Sequence, residues 1–181
     1  MKATGIVRRI DDLGRVVVPK EIRRTLRIRE GDPLEIFTDR EGEIILKKYS
    51  PIGELSQFAR QYADSMGMTT GHVVLISDRD QVIAVAGNAK KELAGKQISK
   101  QLENVINDRE NILASKSDKQ FIKVTEDNDD FLYEAISPVI CEGDAIGAVV
   151  LLTKEPRVRF GEAEVKLAAT AANFLGRQME Q

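Results

Sequence analysis

Short apolar runs broken by two Asp-x-x-Gly tetrads open the chain. Gly5 to Ile10 and Arg15 to Val18 read as strands around Asp11-Asp12-Leu13-Gly14, where Gly14 supplies the positive φ that a tight hairpin needs. Pro19 has no N–H to donate. It ends the ladder and suits the first turn of a helix, predicted over Lys20 to Ile28. A second hairpin follows, Pro33 to Thr38 and Glu43 to Lys48, around Asp39-Arg40-Glu41-Gly42. The opening segment is therefore a quasi-repeat of hairpin, helix and hairpin.

The pattern changes at Tyr49-Ser50-Pro51-Ile52, where Ser50 is a fitting helix N-cap and Pro51 a fitting first helical residue. Leu55, Phe58, Ala59, Tyr62, Ala63 and Met66 recur at helical spacing, which predicts a helix over Pro51 to Met66. Strand-like runs follow at His72 to Ser77 and Val82 to Ala86. The stretch Asn88 to Ser117 is polar and helix-prone, with Ile98, Leu102, Val105 and Ile106 as its apolar stripe. Phe121 to Val124 reads as a strand, and 125–130 as an acidic loop. Phe131 to Ile140 and Ala145 to Thr153 read as long strands turning at Cys141-Glu142-Gly143-Asp144, and a helix runs from Phe160 to about Met179. This order predicts two domains, 1–50 and 51–181, the second α+β with a mostly antiparallel sheet. On the last helix Val165, Ala168, Ala169, Ala172, Leu175, Gly176 and Met179 form a stripe of small and apolar side chains. It suits either a close inter-subunit helical bundle or the cover of the domain's own sheet.

Composition places the chain among soluble globular proteins, with 42% hydrophobic and 31% charged residues. No apolar run approaches a membrane span, and the opening residues lack a signal-peptide pattern. The single cysteine, Cys141, excludes an internal disulfide framework. These features point to the cytoplasm. The net charge of −2 hides an asymmetry. Residues 1–29 hold nine Lys and Arg against three acids, a balance of +6, which leaves −8 on the remaining 152 residues. Such a split suggests an anionic partner for one end of the chain.

Fifty residues bury too little apolar surface to fold alone without a metal, a disulfide or a partner chain. Neither Cys nor His occurs in this segment. Open-edged strands rich in Ile, Val and Leu therefore predict a dimer of interleaved hairpins. At 100° per residue, Lys20, Arg23, Arg24 and Arg27 fall within an arc of about 100°, with Ile22 and Leu26 opposite and available to pack on the sheet. Arg8 and Arg15 flank the first turn and extend the same basic surface. Arg9 alternates to the other face and is the weaker candidate. The blander alternative is a solvated helix face held by pairs such as Glu21–Arg24. Arginines presented together reach phosphates and guanine edges, so Arg8, Arg15, Lys20, Arg23, Arg24 and Arg27 are the candidate contacts to double-stranded DNA.

The run Thr4-Gly5-Ile6-Val7-Arg8, then Asp11-Asp12-Leu13-Gly14-Arg15-Val16-Val17-Val18-Pro19, Ile22-Arg23-Arg24-Thr25-Leu26 and Ile44-Ile45-Leu46-Lys47-Lys48-Tyr49 closely resembles the AbrB family of swapped-hairpin transcription regulators. That family's DNA-contacting positions map onto Arg8, Arg15, Arg23 and Arg24. The resemblance implies homodimers through interlocked hairpins of residues 1–50, and DNA recognition by shape and flexibility more than by a strict base code. Related modules serve as antitoxins, which keeps a protein-binding role as the alternative. Residues 51–181 resemble a GAF domain at Ser137-Pro138-Val139, Gly143-Asp144-Ala145-Ile146-Gly147-Ala148-Val149 and Phe160-Gly161-Glu162. This implies a sheet with covering loops that hold a small ligand, here unidentified. If both domains self-associate, the assembly is a homotetramer. Across the whole chain the resemblance is to sporulation regulators, which implies a nucleoid-associated activator and repressor of forespore genes.

No catalytic constellation emerges. His72 starts a strand and reads as a satisfied imidazole. Some GAF-like proteins reduce methionine sulfoxide with cysteine, yet Cys141 has no resolving partner. Glu126, Asp127, Asp129 and Asp130 lack the glycine and terminal glutamate of an EF-hand. There is no P-loop, dinucleotide fingerprint or nucleophile–base spacing. The sequence therefore predicts neither an enzyme nor a metal site nor a bound cofactor.

Overall fold

The computed structural model describes residues 5–127 and 130–180, so Lys2, Thr4 and the Asn128–Asp129 part of the acidic loop lie outside the described residues. The chain falls into two compact units, Met1–Tyr49 and Ser50–Gln181.

The first unit holds helix α1 (Lys20–Thr25) and a hairpin of β1 (Leu34–Thr38) and β2 (Ile44–Lys48), antiparallel in the register Leu34↔Lys48 to Thr38↔Ile44. Its two predicted turns share one construction. Asp11 Oδ1 accepts the N–H groups of Leu13 and Arg15 at 3.0 and 2.8 Å, and Asp39 Oδ1 accepts those of Glu41 and Glu43, both at 2.9 Å. Gly14 (φ 76°) and Gly42 (φ 83°) close the two loops in the left-handed region, as the Asp-x-x-Gly tetrads require. The arms of the first turn differ from expectation. Among the described residues, Gly5 to Ile10 and Arg15 to Val18 form no strand pairing. Val7 is 86% exposed and Val17 71%, and Ile36 and Ile44 of the second hairpin are exposed too. Extended arms with such exposed apolar side chains are what a hairpin looks like when its ladder is completed by another chain.

The helix is also shorter than predicted. It stops at Thr25, with the Ile28 N–H on the Arg23 carbonyl (2.7 Å), the Arg27 N–H on the Arg24 carbonyl (3.3 Å) and Arg27 at φ 53°. This is a Schellman close with arginine at the left-handed position usually given to glycine, so the sequence carries no stop signal there. Leu26, expected on the sheet, is instead exposed.

The second unit is a five-stranded antiparallel sheet, order β4-β3-β7-β6-β5, of β3 (Val73–Asp78), β4 (Val82–Ala86), β5 (Ile112–Ser115), β6 (Tyr133–Cys141) and β7 (Asp144–Thr153). The predicted first helix is broken at Leu55 (φ −88°, ψ 24°) into α2 (Pro51–Glu54) and α3 (Ser56–Thr70). Ser50 does cap α2, accepting the Gly53 N–H at 3.1 Å. Its hydroxyl also donates to Asp78 Oδ2 at 2.8 Å. Phe121 to Val124 forms no strand. The edge strand is Ile112–Ser115, from within the stretch expected to be helical, because its alternating burial lets it pair with β6. Glu142 (φ 48°) and Gly143 (φ 87°) make the tight β6–β7 turn that twisted antiparallel strands favour.

Strand alternation builds one apolar layer on each face. Val73, Leu75, Ile136, Val150 and Leu152 face α4 (Lys90–Leu93) and α5 (Lys100–Asp108), together with Leu93, Leu102 and Ile106. Val74, Ile76, Ala135, Val149 and Leu151 face α3 and α6 (Glu162–Gln178). The small-residue stripe of α6 is spent on its own sheet, since Ala168, Ala172, Leu175 and Gly176 are buried there. At Gly176 the helix lies so close to β6 that an added Cβ would run into the Ile140 carbonyl.

Candidate nucleic-acid interface

Short-range chemistry of the first turn and of α1 positions the cations of the first unit. Arg15 is tied twice to Asp11, through its backbone N–H and through an Nε to Oδ2 contact of 2.8 Å. The Arg15 N–H, then its guanidinium, then the Leu13 N–H hold the Asp11 carboxyl below the ordinary aspartate value. The turn is thereby rigid, and Arg15 projects from it while remaining largely exposed.

On α1, Lys20, Arg23 and Arg24 are all exposed. None of them, nor Arg8 or Arg27, has a carboxylate partner among the described residues, and Glu21 does not pair with Arg24. The solvated-pair alternative therefore lacks its pair. Lys20, Arg23 and Arg24 keep their helical spacing. Arg27 does not, because it sits beyond the helix end; it is exposed, and its carbonyl accepts the Lys48 ammonium at 2.8 Å. Arg29 and Lys48 serve the fold instead. Both reach the Asp32 carboxylate, whose side chain is 5% exposed, at 3.9 and 3.5 Å, and the Arg29 N–H donates to the same oxygen. The arrangement offers one turn-anchored guanidinium and several unpaired cations on exposed segments. Such groups suit a polyanionic backbone far better than a compact anion, which would call for a closed cradle.

Comparison with known proteins supplies relatives for both ends of the chain. The family model of the stage V sporulation protein T C-terminal region, described as a transcription factor, matches residues 54–180. Over all 181 residues the chain is 57% identical to stage V sporulation protein T of Bacillus subtilis (strain 168), covering 100% of both chains. The chain belongs to the stage V sporulation protein T family. Residues 7–54 match the model of the antidote–toxin recognition protein MazE, a bacterial antitoxin. The transition state regulatory protein AbrB of Bacillus subtilis (strain 168) is 45% identical over 94 residues, 51% of this chain and 97% of its own. The first unit is thus an AbrB-type swapped-hairpin domain, as the motif run implied. The GAF domain of an Acinetobacter phosphoenolpyruvate-protein phosphotransferase superposes with a TM-score of 0.57 at 14% identity, covering 74% of this chain and 84% of its own. That likeness establishes a GAF-type fold for the second unit and nothing about its ligand.

Membership in this family makes the chain a transcription regulator related to AbrB. No helix among the described residues is long and apolar enough to cross a membrane.

Proposed function

We propose that two copies of residues 1–50 interlock and present Arg8, Arg15, Lys20, Arg23, Arg24 and Arg27 as one basic surface on the backbone of double-stranded DNA. The observation that carries this reading is the set of exposed, carboxylate-free cations on and around α1, within a unit whose apolar arms are uncovered in a single chain. The protein then activates some sporulation genes and represses others, working in the cytoplasm on the nucleoid. Residues 51–181 form the second domain, which senses a small molecule between the sheet and the α4/α5 side and joins dimers into tetramers. Support for the tetramer lies on the outer side of α3 and α6. There Phe58, Tyr62 and Phe174 stack with centroids 5.4 to 6.3 Å apart, and Phe174 and Leu167 remain about two-fifths exposed. The family is one of transcription factors, and we infer no catalytic step.

Salt titration tests the DNA reading. A dimer neutralising several phosphates loses roughly 10³-fold or more in affinity between about 50 and 200 mM salt. Arg23→Ala with Arg24→Ala should weaken binding and flatten the salt slope while leaving the thermal melt unchanged; unaltered affinity removes these residues from the interface. The match to MazE over residues 7–54 favours one second reading, in which the dimer binds a protein partner. That reading predicts weak, sequence-indifferent DNA binding and a partner captured equally well by the double variant.

A further inference from the structure

Glu134 lies in β6 and is fully buried. Its register partners, Ala114 on β5 and Leu152 on β7, both belong to the apolar layer beneath α4 and α5. Side chains paired across neighbouring strands share a face, so the Glu134 carboxyl enters that layer. Oε1 accepts the Ile122 N–H at 2.9 Å. Oε2 has no partner, and no lysine or arginine pairs with the carboxyl among the described residues.

Ile122 belongs to the stretch 116–127, which has neither helix nor strand. Hydrogen bonds hold it to the start of α5. Ser99 donates its hydroxyl to the Lys123 carbonyl and its N–H to the Val124 carbonyl, and Gln101 Oε1 accepts the Lys123 N–H. A second buried oxygen without a partner, Thr125 Oγ1, lies on the same stretch. A carboxyl inside an apolar layer with one oxygen unmet costs stability and is the kind of exception that asks for a missing partner. Among the described residues no cation reaches it.

We propose that Glu134 anchors the small-molecule site of the second unit, with Oε2 receiving the ammonium group of a compact apolar amine. This rests on the sensing reading above and names the ligand's chemical class. Leu102, Ile106, Ile136 and Leu152 supply the apolar layer for the amine's hydrocarbon, and Ile122 links the occupied carboxylate to the covering stretch. Burial pushes the Glu134 carboxyl up to about 8, against the pull of the Ile122 N–H. Near neutral pH the Glu134 carboxyl therefore holds a proton. An incoming ammonium turns the neutral acid into a carboxylate–ammonium pair and releases that proton to solvent.

Calorimetric titration of the full chain at about pH 6.5, in two buffers of different ionisation enthalpy, tests this with isoamylamine and its uncharged isostere isoamyl alcohol. The amine should bind at least about tenfold more tightly than the alcohol and release about one proton. Its affinity should rise about tenfold per pH unit up to the carboxyl's own titration. E134Q should lose at least about tenfold in amine affinity, and the proton release with it. Should E134Q fail to fold, proton release and pH dependence in the unmodified protein decide alone. Equal binding of amine and alcohol, no proton release, or undiminished binding by a folded E134Q overturns the role of Glu134 and leaves the sensing reading standing. Binding of neither compound likewise overturns the amine proposal and leaves the sensing reading to ligands of other chemistry.

Discussion

Replacing Glu134 by glutamine should change how stability depends on pH. The carboxyl has an ordinary value of 4.5 and is raised to about 8 in the fold, chiefly by burial. Below the lower value it is neutral in both folded and unfolded chains, and the fold carries no electrostatic penalty. Between the two values the unfolded chain ionises while the folded one keeps its proton. Stability then falls by up to about 1.4 kcal/mol per pH unit. Above the folded value both states are ionised and the loss levels off. Across the interval the ceiling is on the order of 5 kcal/mol, and relaxation around the charge should leave about half of it. Glutamine keeps an oxygen for the Ile122 N–H and removes the titration. Urea unfolding followed by circular dichroism, at fixed protein concentration and at about pH 5, 7 and 9, measures the outcome. The two proteins should be nearly equal at the lowest pH, with E134Q ahead by about 2 kcal/mol or more at the highest. Parallel pH profiles would show that the buried carboxyl does not titrate between these limits, and the reasoning would fail.

Gly176→Ala puts a methyl group against the Ile140 carbonyl, which belongs to a paired strand and cannot retreat. The gain in helix propensity is about 1 kcal/mol and overpacking costs about 1–3, so a net loss of up to about 2 kcal/mol is expected in chemical denaturation. Arg27→Gly relieves a left-handed arginine. It should stabilise the first unit by about 1 kcal/mol in a thermal melt while reducing the salt slope of DNA binding by about one. The Asp11 carboxyl is held below its ordinary value, so the turn it anchors is favoured above that value and lost as pH falls through the folded one. Asp11→Asn should remove that acid dependence, and hydrogen exchange at the Leu13 and Arg15 amides reads it directly.

Local chemistry was legible wherever a residue type dictates a backbone conformation. The two Asp-x-x-Gly tetrads announced two identically built turns, Ser50-Pro51 announced a capped helix, and the spacing of Lys20, Arg23 and Arg24 announced a cationic face. The apolar run from Ala145 to Thr153 likewise marked a long strand, which the fold contains as β7. Boundaries failed where no residue type carries the signal. Arg27 takes the place of a glycine at the end of α1, and Ile112–Ser115 becomes a strand only because β6 offers it an edge. Glu134 was invisible for the same reason. A glutamate within a strand reads as solvent-facing until five strands and a covering stretch enclose it.

By itself, then, the amino-acid order determined the turns, the cationic helix and the family, because each depends on interactions a few residues long or on a contiguous motif. Tertiary structure alone decided which face each strand turns inward, how α6 spends its small residues, and where an acid lies stranded among apolar side chains. Those outcomes depend on neighbours distant in the chain, which no local pattern encodes.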